Sequence, residues 1–373
     1  MVRTVFYVRI ERIEFVPFAT RRVIKGHYYS SSLHYLVKMI TDEEITGIGE
    51  ASDILHILPP DLGYVTEKVN GQLKGVNPFN MNQVEAVILS VGIGPVCEGL
   101  DIALHDLLGK ALKIPVFNLL GGKVRDNMLI AFPFWPIQST SEVQKKIEEL
   151  TDLVEKGIKT IRIYVGANVE ADKNLLKSIR DKFGYEVLIR SLDISNRFSP
   201  KKAIRFIKEV EKYEFMYVES PCPTLKGKAE VRRAVDTLIS EHVGTPQNAL
   251  AMIENRSVDI FNISVSSGGL MQAKKEFAIA EAGGIECVVG TTQEMTIGTA
   301  AQAHLIASTP NIHYPCDPAG PLFYEKDITK TRLEFKDGIL TVPEGIGLGV
   351  EVDEEKLKEI SIGSEGQKSL LSR

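Results

Sequence analysis

The chain has 373 residues, 44% of them hydrophobic and 25% charged, and a net charge of −5. That length is too great for one small core and calls for two domains, or a barrel with an added domain. The acidic balance leaves no basic excess to neutralise phosphates, which argues against a nucleic-acid partner.

The four cysteines (Cys97, Cys222, Cys287, Cys316) lie far apart and form no CxxC pair, a pattern of buried free thiols in a reducing compartment. The opening MVRTVFYVRIERIEF alternates apolar and charged residues and lacks the continuous apolar core of a signal peptide. No apolar run approaches the roughly 18 residues a membrane helix needs. A soluble cytoplasmic protein with no membrane partner is expected.

In chain order, VRIERIEFVPF and YLVKMITDEEITGIGEA show strand alternation, with Asp42-Glu43-Glu44 turning the second into a hairpin. Residues 64 to about 120 carry apolar positions on a helical period, as in PVCEGLDIALHDLLGKALKI. PVFNLLGGKVRDN then supplies a break, and a boundary is expected near residue 125. From there apolar runs alternate with amphipathic segments: MLIAFPF, TIRIYV, EVLIRSLD, FMYVES, TLISE, VDIFNIS, IECVVGT and NIHYPC are each separated from the next by a helical pattern. Ser199-Pro200 and Thr245-Pro246 mark helix starts, an N-cap residue before Pro at N1. Eight short strands with helices between them predict a parallel (β/α) barrel rather than an open sheet. The tail LEFKDGILTVPEGIGLGVEVD reads as strand packing back on the first domain, and GSEGQKSLLSR reads as a frayed end.

Barrel strands point the same way, so their C-terminal ends share one face, where barrel active sites lie. Three successive runs end in a carboxylate: VLIRSLD in Asp193, FMYVE in Glu219 and TLISE in Glu241. Three clustered carboxylates repel, and one must stay protonated unless a cation sits among them. A hard oxygen set of this size suits Mg²⁺, and such an ion stabilises the dianion formed when a proton α to a carboxylate is removed.

The motifs ITGIGEA, GLDIALHDLLGKALKIPVFNLLGG, VESP, VDIFNISVSSGGL, GTTQEMTIGTAAQAHLIAS and DPAGPLFYEKDI resemble the enolase superfamily, in its mandelate racemase and muconate lactonizing group. The last three look most like the muconate cycloisomerase branch. The similarity spans about residues 5 to 352. It implies an α/β fold, a (β/α)7β TIM-like barrel preceded by an α+β capping domain: residues 1–125 as the cap, joined by a segment of about 330–373, and 126–329 as the barrel. It also implies a small carboxylate substrate, Mg²⁺ (or Mn²⁺ in its place) held by Asp193, Glu219 and Glu241, and a homo-oligomer, dimer or octamer. The third ligand is irregular: the cycloisomerase branch has an Asp-Glu pair with Asp as ligand, and this chain has Ser240-Glu241. The bases depart further. The family's Lys-x-Lys on the second strand is Arg162-Ile163-Tyr164, its sixth-strand Lys or Asp is Ser264, and the racemase branch's seventh-strand His is replaced by Gly290, Thr291 and Thr292.

Residues i and i+2 of a strand share a face about 6.6 Å apart. Arg162 at that range from the Tyr164 hydroxyl supplies roughly 2.4 kcal/mol at an effective dielectric of 20, drawing the phenol well below its usual pKa and making Tyr164 a candidate base. Asp317, at the eighth strand, is a second candidate acid or substrate contact. His27 and Ser264 are candidate substrate-binding residues, and His242 reads as a helix-start residue. A muconate-cycloisomerase-like isomerase fits the overall sequence. An acid-sugar dehydratase using Tyr164 as base is the first alternative, and a catalytically silent metal- or carboxylate-binding member the second.

Overall fold

A computed structural model describes residues 8–24, 30–57 and 60–371. Strands β1 (Ile10–Arg21), β2 (Ser31–Thr41) and β3 (Thr46–Ala51) form an antiparallel sheet in that order. The β2–β3 turn falls at the expected acidic run, where Glu44 takes a positive φ of 59° and Thr41 and Ile45 exchange backbone and hydroxyl hydrogen bonds. Helices Leu62–Leu73, Met81–Ser90 and Gly94–Leu112 bury their apolar faces with this sheet in a core that includes Ile10, Val37, Val69, Ile88 and Leu104. The long helix lies almost backbone to backbone on β3. A Cβ on Gly49 would stand 2.0 Å from the Gly99 carbonyl oxygen, and one on Gly99 would stand 2.8 Å from the Ala51 nitrogen, so only glycine permits this approach.

After a short strand β4 (Asn127–Leu129), seven parallel strands follow: β5 (Phe132–Phe134), β6 (Thr160–Tyr164), β7 (Leu188–Asp193), β8 (Tyr217–Glu219), β9 (Leu238–His242), β10 (Ile260–Ile263) and β11 (Glu286–Val289). Each pairs in parallel with the next, and helices cross between them. The expected eighth strand is a single bridge. Cys316 pairs with Ile130, Ala131 N–H donates to its carbonyl at 2.7 Å, and Asp317 N–H donates to Val289 at 2.9 Å. These bonds close the sheet into the expected (β/α)7β barrel. The Ser199 and Thr245 side chains cap their helices as predicted, accepting from the Lys202 and Asn248 amides.

The tail follows expectation in part. The hairpin β12 (Phe335–Lys336) and β13 (Ile339–Thr341) pairs with β4, not with the first sheet, because β4 offers the open backbone edge. Further along, the tail does pack back on the first domain: Gly347 bridges Pro115, Leu348 N–H donates to Asp106 of the long helix, and Ser361 bridges Phe18. The last segment is a helix, Ser364–Leu371, and its Leu370 packs beside Leu33, Tyr35 and Ile54.

The first sheet and the barrel are fastened through β3. Glu50, fully buried, accepts hydrogen bonds from the Met295 amide (2.7 Å) and the Gly298 amide (2.9 Å) at the start of barrel helix Thr296–Ala307, and from His34 Nδ1 (2.8 Å). All four cysteines are buried and free. No helix among the described residues is long and apolar enough to cross a membrane.

Candidate active site

The strand register decides which side chains meet at the barrel mouth. Tyr164 stands opposite Asp193, Asp193 opposite Glu219 and Glu219 opposite Ser240. Paired residues of parallel strands point the same way and neighbours along a strand alternate. Tyr164, Asp193, Glu219 and Ser240 therefore share one row, and Arg162 and His242, two residues along their strands, share its face. Glu241 is on the other face. Its carboxylate takes the Lys228 ammonium at 2.7 Å and the Ser220 hydroxyl at 2.8 Å, and Lys228 belongs to the helix Leu225–Ala234 behind the strands. The expected third ligand is thus turned away from the other two. The sequence reading took the last acidic residue of each run, whereas the sheet selects by alternation.

Positive side chains surround the two remaining carboxylates. Arg162 Nη1 lies 2.9 Å from Asp317 and 3.7 Å from Glu219. Arg190 sits where the β6–β7 register slips by one residue, an irregularity of the kind that re-aims a side chain. It is wholly buried, 2.6 Å from Asp317 and 4.0 Å from Glu219. His242 Nε2 lies 3.0 Å from Glu219 Oε1, and its ring is 46% exposed. Asp193 Oδ1 accepts from the Ser195 amide (2.7 Å) and hydroxyl (3.0 Å). Burial works to raise both carboxyls. At Glu219 it is outweighed by Arg162, His242 and Arg190, and the group is pulled down. Asp193, buried and facing Glu219, is pushed up. Burial would lower His242, but Glu219 and then Glu241 lift it to about 9.

Tyr164 corrects a second expectation. Its hydroxyl does accept a hydrogen bond from Arg162 Nη2, and its ring stacks on Trp135 at 4.6 Å with the Arg162 guanidinium also 4.6 Å from its centroid. Yet its pKa is raised. Burial is the largest cause, Asp193, Glu219 and Asp317 add to it, and Arg162 offsets only part. A two-residue Coulomb argument omits the desolvation and the three carboxylates.

Above Tyr164 lies a cavity of about 440 Å³ between the first sheet and the barrel mouth. Ser52, Asp53, Ile57 and Pro95 line it from one side. Trp135, Tyr164, Ser266, Thr291, Thr292 and Gln293 line it from the barrel. Asp317, clamped by two arginines and 2% exposed, lies below and does not line it. Ser264 is buried, and its hydroxyl is spent on Ser266, 2.8 Å away, which does line the cavity. His27 lies outside the described residues. Sequence reasoning missed Arg190, Lys228 and Trp135, and assigned His242 to a helix start. The signal for Arg190 was a lone charge inside an apolar run, and for His242 its i+2 spacing from Ser240.

The Mg²⁺ implied by the resemblance does not fit these side chains. Among the described residues, no group of three or more His, Cys, Asp and Glu is arranged to hold a metal ion. The third inward place is the neutral Ser240, whose Oγ is buried without a hydrogen bond. A divalent ion about 5 Å from a guanidinium is repelled by roughly 7 kcal/mol at an effective dielectric of 20, and two arginines stand over these carboxylates.

Comparison with known proteins agrees with the architecture. The profile described as "Enolase C-terminal domain-like" matches residues 145–356, and "Mandelate racemase / muconate lactonizing enzyme, N-terminal domain" matches residues 22–121. The hydrophobic dipeptide epimerase of Enterococcus faecalis is 31% identical over 327 residues, covering 85% of this chain and 86% of that protein. The chloromuconate cycloisomerase of Cupriavidus necator is 28% identical over 371 residues, covering 94% and 98%. The crystal structure of the E. faecalis dipeptide epimerase complexed with Mg and the dipeptide L-Leu-L-Tyr superposes with a TM-score of 0.83 at 26% identity, covering 92% of this chain and 99% of that one. Enzymes of this kind generally use Mg²⁺, so the donor set described above is a departure within a shared architecture. The chain belongs to the mandelate racemase and muconate lactonizing group of the enolase superfamily, a family of isomerase-type enzymes.

Proposed function

We propose that the chain is an isomerase acting on a small carboxylic acid in the cavity between the first sheet and the barrel mouth. Tyr164 delivers the proton to the carbon next to the carboxylate. The observation that carries this reading is that Tyr164 lines the cavity while its hydroxyl oxygen accepts from Arg162. A hydroxyl that accepts from a guanidinium keeps its own O–H free to donate. The raised pKa means that the proton is in place at neutral pH. That favours a general acid over the general base of the dehydratase alternative. An enolate is far more basic than a phenolate, so transfer from the phenol is downhill, and Arg162 meets the phenolate that results. Asp317 fixes the Arg162 guanidinium, so its part is positional. A cycloisomerase-like addition, in which a carboxylate adds across a double bond and the enolate is then protonated on one face, needs one such acid.

The test is proton exchange in D₂O, followed by NMR. The substrates are muconate, which an acid alone deuterates as the enolate from addition collapses, and, as controls whose α-proton a base must first remove, N-succinyl amino acids and hydrophobic dipeptides, the classes named for relatives. Deuterium is expected at the carbon next to a carboxylate in one class, with a loss of about 10²- to 10⁴-fold in Tyr164→Phe. Full exchange in that variant would remove Tyr164 from the chemistry. No exchange with any class would leave the silent carboxylate-binding member as the better reading.

A further inference from the structure

We infer that this site works without a divalent metal, and that Arg162, Arg190 and His242 hold the charge of the inward carboxylates in its place. The inference deepens the isomerase reading and shares its site, but it has its own readout. Four observations support it together. The inward row offers two carboxylates, Asp193 and Glu219, followed by the neutral Ser240. The carboxylate next along the chain, Glu241, is committed to Lys228 and Ser220 on the opposite face. Lys228 is itself 3% exposed, so releasing Glu241 to turn inward would strand a buried ammonium. Finally, the space beside Glu219 is already occupied by cations and donors: Arg162 at 3.7 Å, Arg190 at 4.0 Å and His242 Nε2 at 3.0 Å.

Guanidinium groups stay charged at any working pH. Two of them against Asp317, Glu219 and Asp193 leave at most one net negative charge in the cluster, before His242 donates to Glu219. A divalent ion needs surplus negative charge and several free oxygens, and here most lone pairs face a cation or a donor. The same arrangement offers a carboxylate substrate positive charge at the mouth, from the half-exposed His242 ring and from Arg162 behind Tyr164.

The experiment is a Mn²⁺ titration followed by electron paramagnetic resonance, on wild-type protein and on Asp193→Asn. The two curves are expected to coincide. A stoichiometric wild-type site that Asp193→Asn abolishes would overturn the inference. A second variant keeps the geometry testable. Ser240→Asp combined with His242→Ala places a third carboxylate in the inward row and withdraws the ring. It is expected to gain a Mn²⁺ site that adding Asp193→Asn removes; a double variant as silent as wild type would overturn the assignment of Ser240 as the missing donor. The deuterium exchange is then run on EDTA-treated protein. Exchange that persists supports the inference, and exchange restored only by added Mg²⁺ overturns it. Exchange absent under every condition defeats the isomerase reading, while the Mn²⁺ result continues to decide the metal question.

Discussion

Glu276 offers the sharpest quantitative test of the structure. It lies in the barrel helix Leu270–Gly283, is wholly buried, and neither carboxyl oxygen has a hydrogen-bond partner. Burial alone raises its pKa from 4.5 to about 8. Between those values the folded protein keeps the proton and the unfolded chain has lost it, so the folded state binds more protons and stability falls as pH rises. The slope is about 1.4 kcal/mol per pH unit, or roughly 5 kcal/mol accumulated by pH 8. Glu276→Gln keeps the shape and removes the ionisation. The variant should match wild type near pH 4.5 and exceed its stability by about 3 kcal/mol at pH 7. Thermal midpoints of both proteins at pH 5, 6, 7 and 8 read this directly, as a gap that widens with pH. A gap that is constant or narrows would show that the folded protein pairs or hydrates Glu276, and the argument from burial would fail.

Lys228→Met leaves Glu241 buried opposite an apolar side chain and should cost about 3–5 kcal/mol in urea unfolding, whereas Lys228→Met with Glu241→Leu should recover most of it; no recovery would place the value of Lys228 elsewhere. Arg190→Met removes one of the two cations on Asp317 and should cost a similar 3–5 kcal/mol by the same assay. Gly49→Ala drives a methyl into the Gly99 carbonyl and should destabilise by about 1–3 kcal/mol or more, while Gly71→Ala, with open space around its Cβ, serves as the control in the same thermal series. Tyr164→Phe should remain folded, because the ring keeps its stacking on Trp135, and circular dichroism alongside the exchange assay separates loss of the proton from loss of structure.

Much of the architecture was legible because it rests on local signals. The alternating runs before residue 52, the Ser-Pro and Thr-Pro helix starts and the regular succession of apolar runs each report on a few neighbouring residues, and these are the elements found. The strand partner of the tail hairpin was not legible because the choice of β4 depends on which backbone edge lies open, a property of the assembled barrel. In the site, Asp193 and Glu219 were legible as strand-end carboxylates and do share a row. Glu241 was misread because the test applied was terminal position, while the sheet obeys alternation, and Ser240 and His242 hold the inward places. Arg190 could not be placed because its direction depends on a one-residue slip in register. The direction of the Tyr164 pKa needed the depth of burial and three carboxylates from other strands, none of which follows from Arg162-Ile163-Tyr164 alone.

The Glu50 clamp sets an order of events for a chain that is made from one end. The first sheet and its long helix are complete early in synthesis, but Glu50 meets the Met295 amide only 245 residues later. At about 5–20 residues per second that is a wait of some tens of seconds, during which a carboxylate built for a dry interface has only His34 of its three hydrogen-bond partners. The emerging first domain therefore holds an open, polar-centred docking face until the last barrel helix arrives. Residues 295–298, just beyond the cavity-lining Gln293, are where slow synthesis or a misplaced backbone would first show as aggregation of the nascent chain.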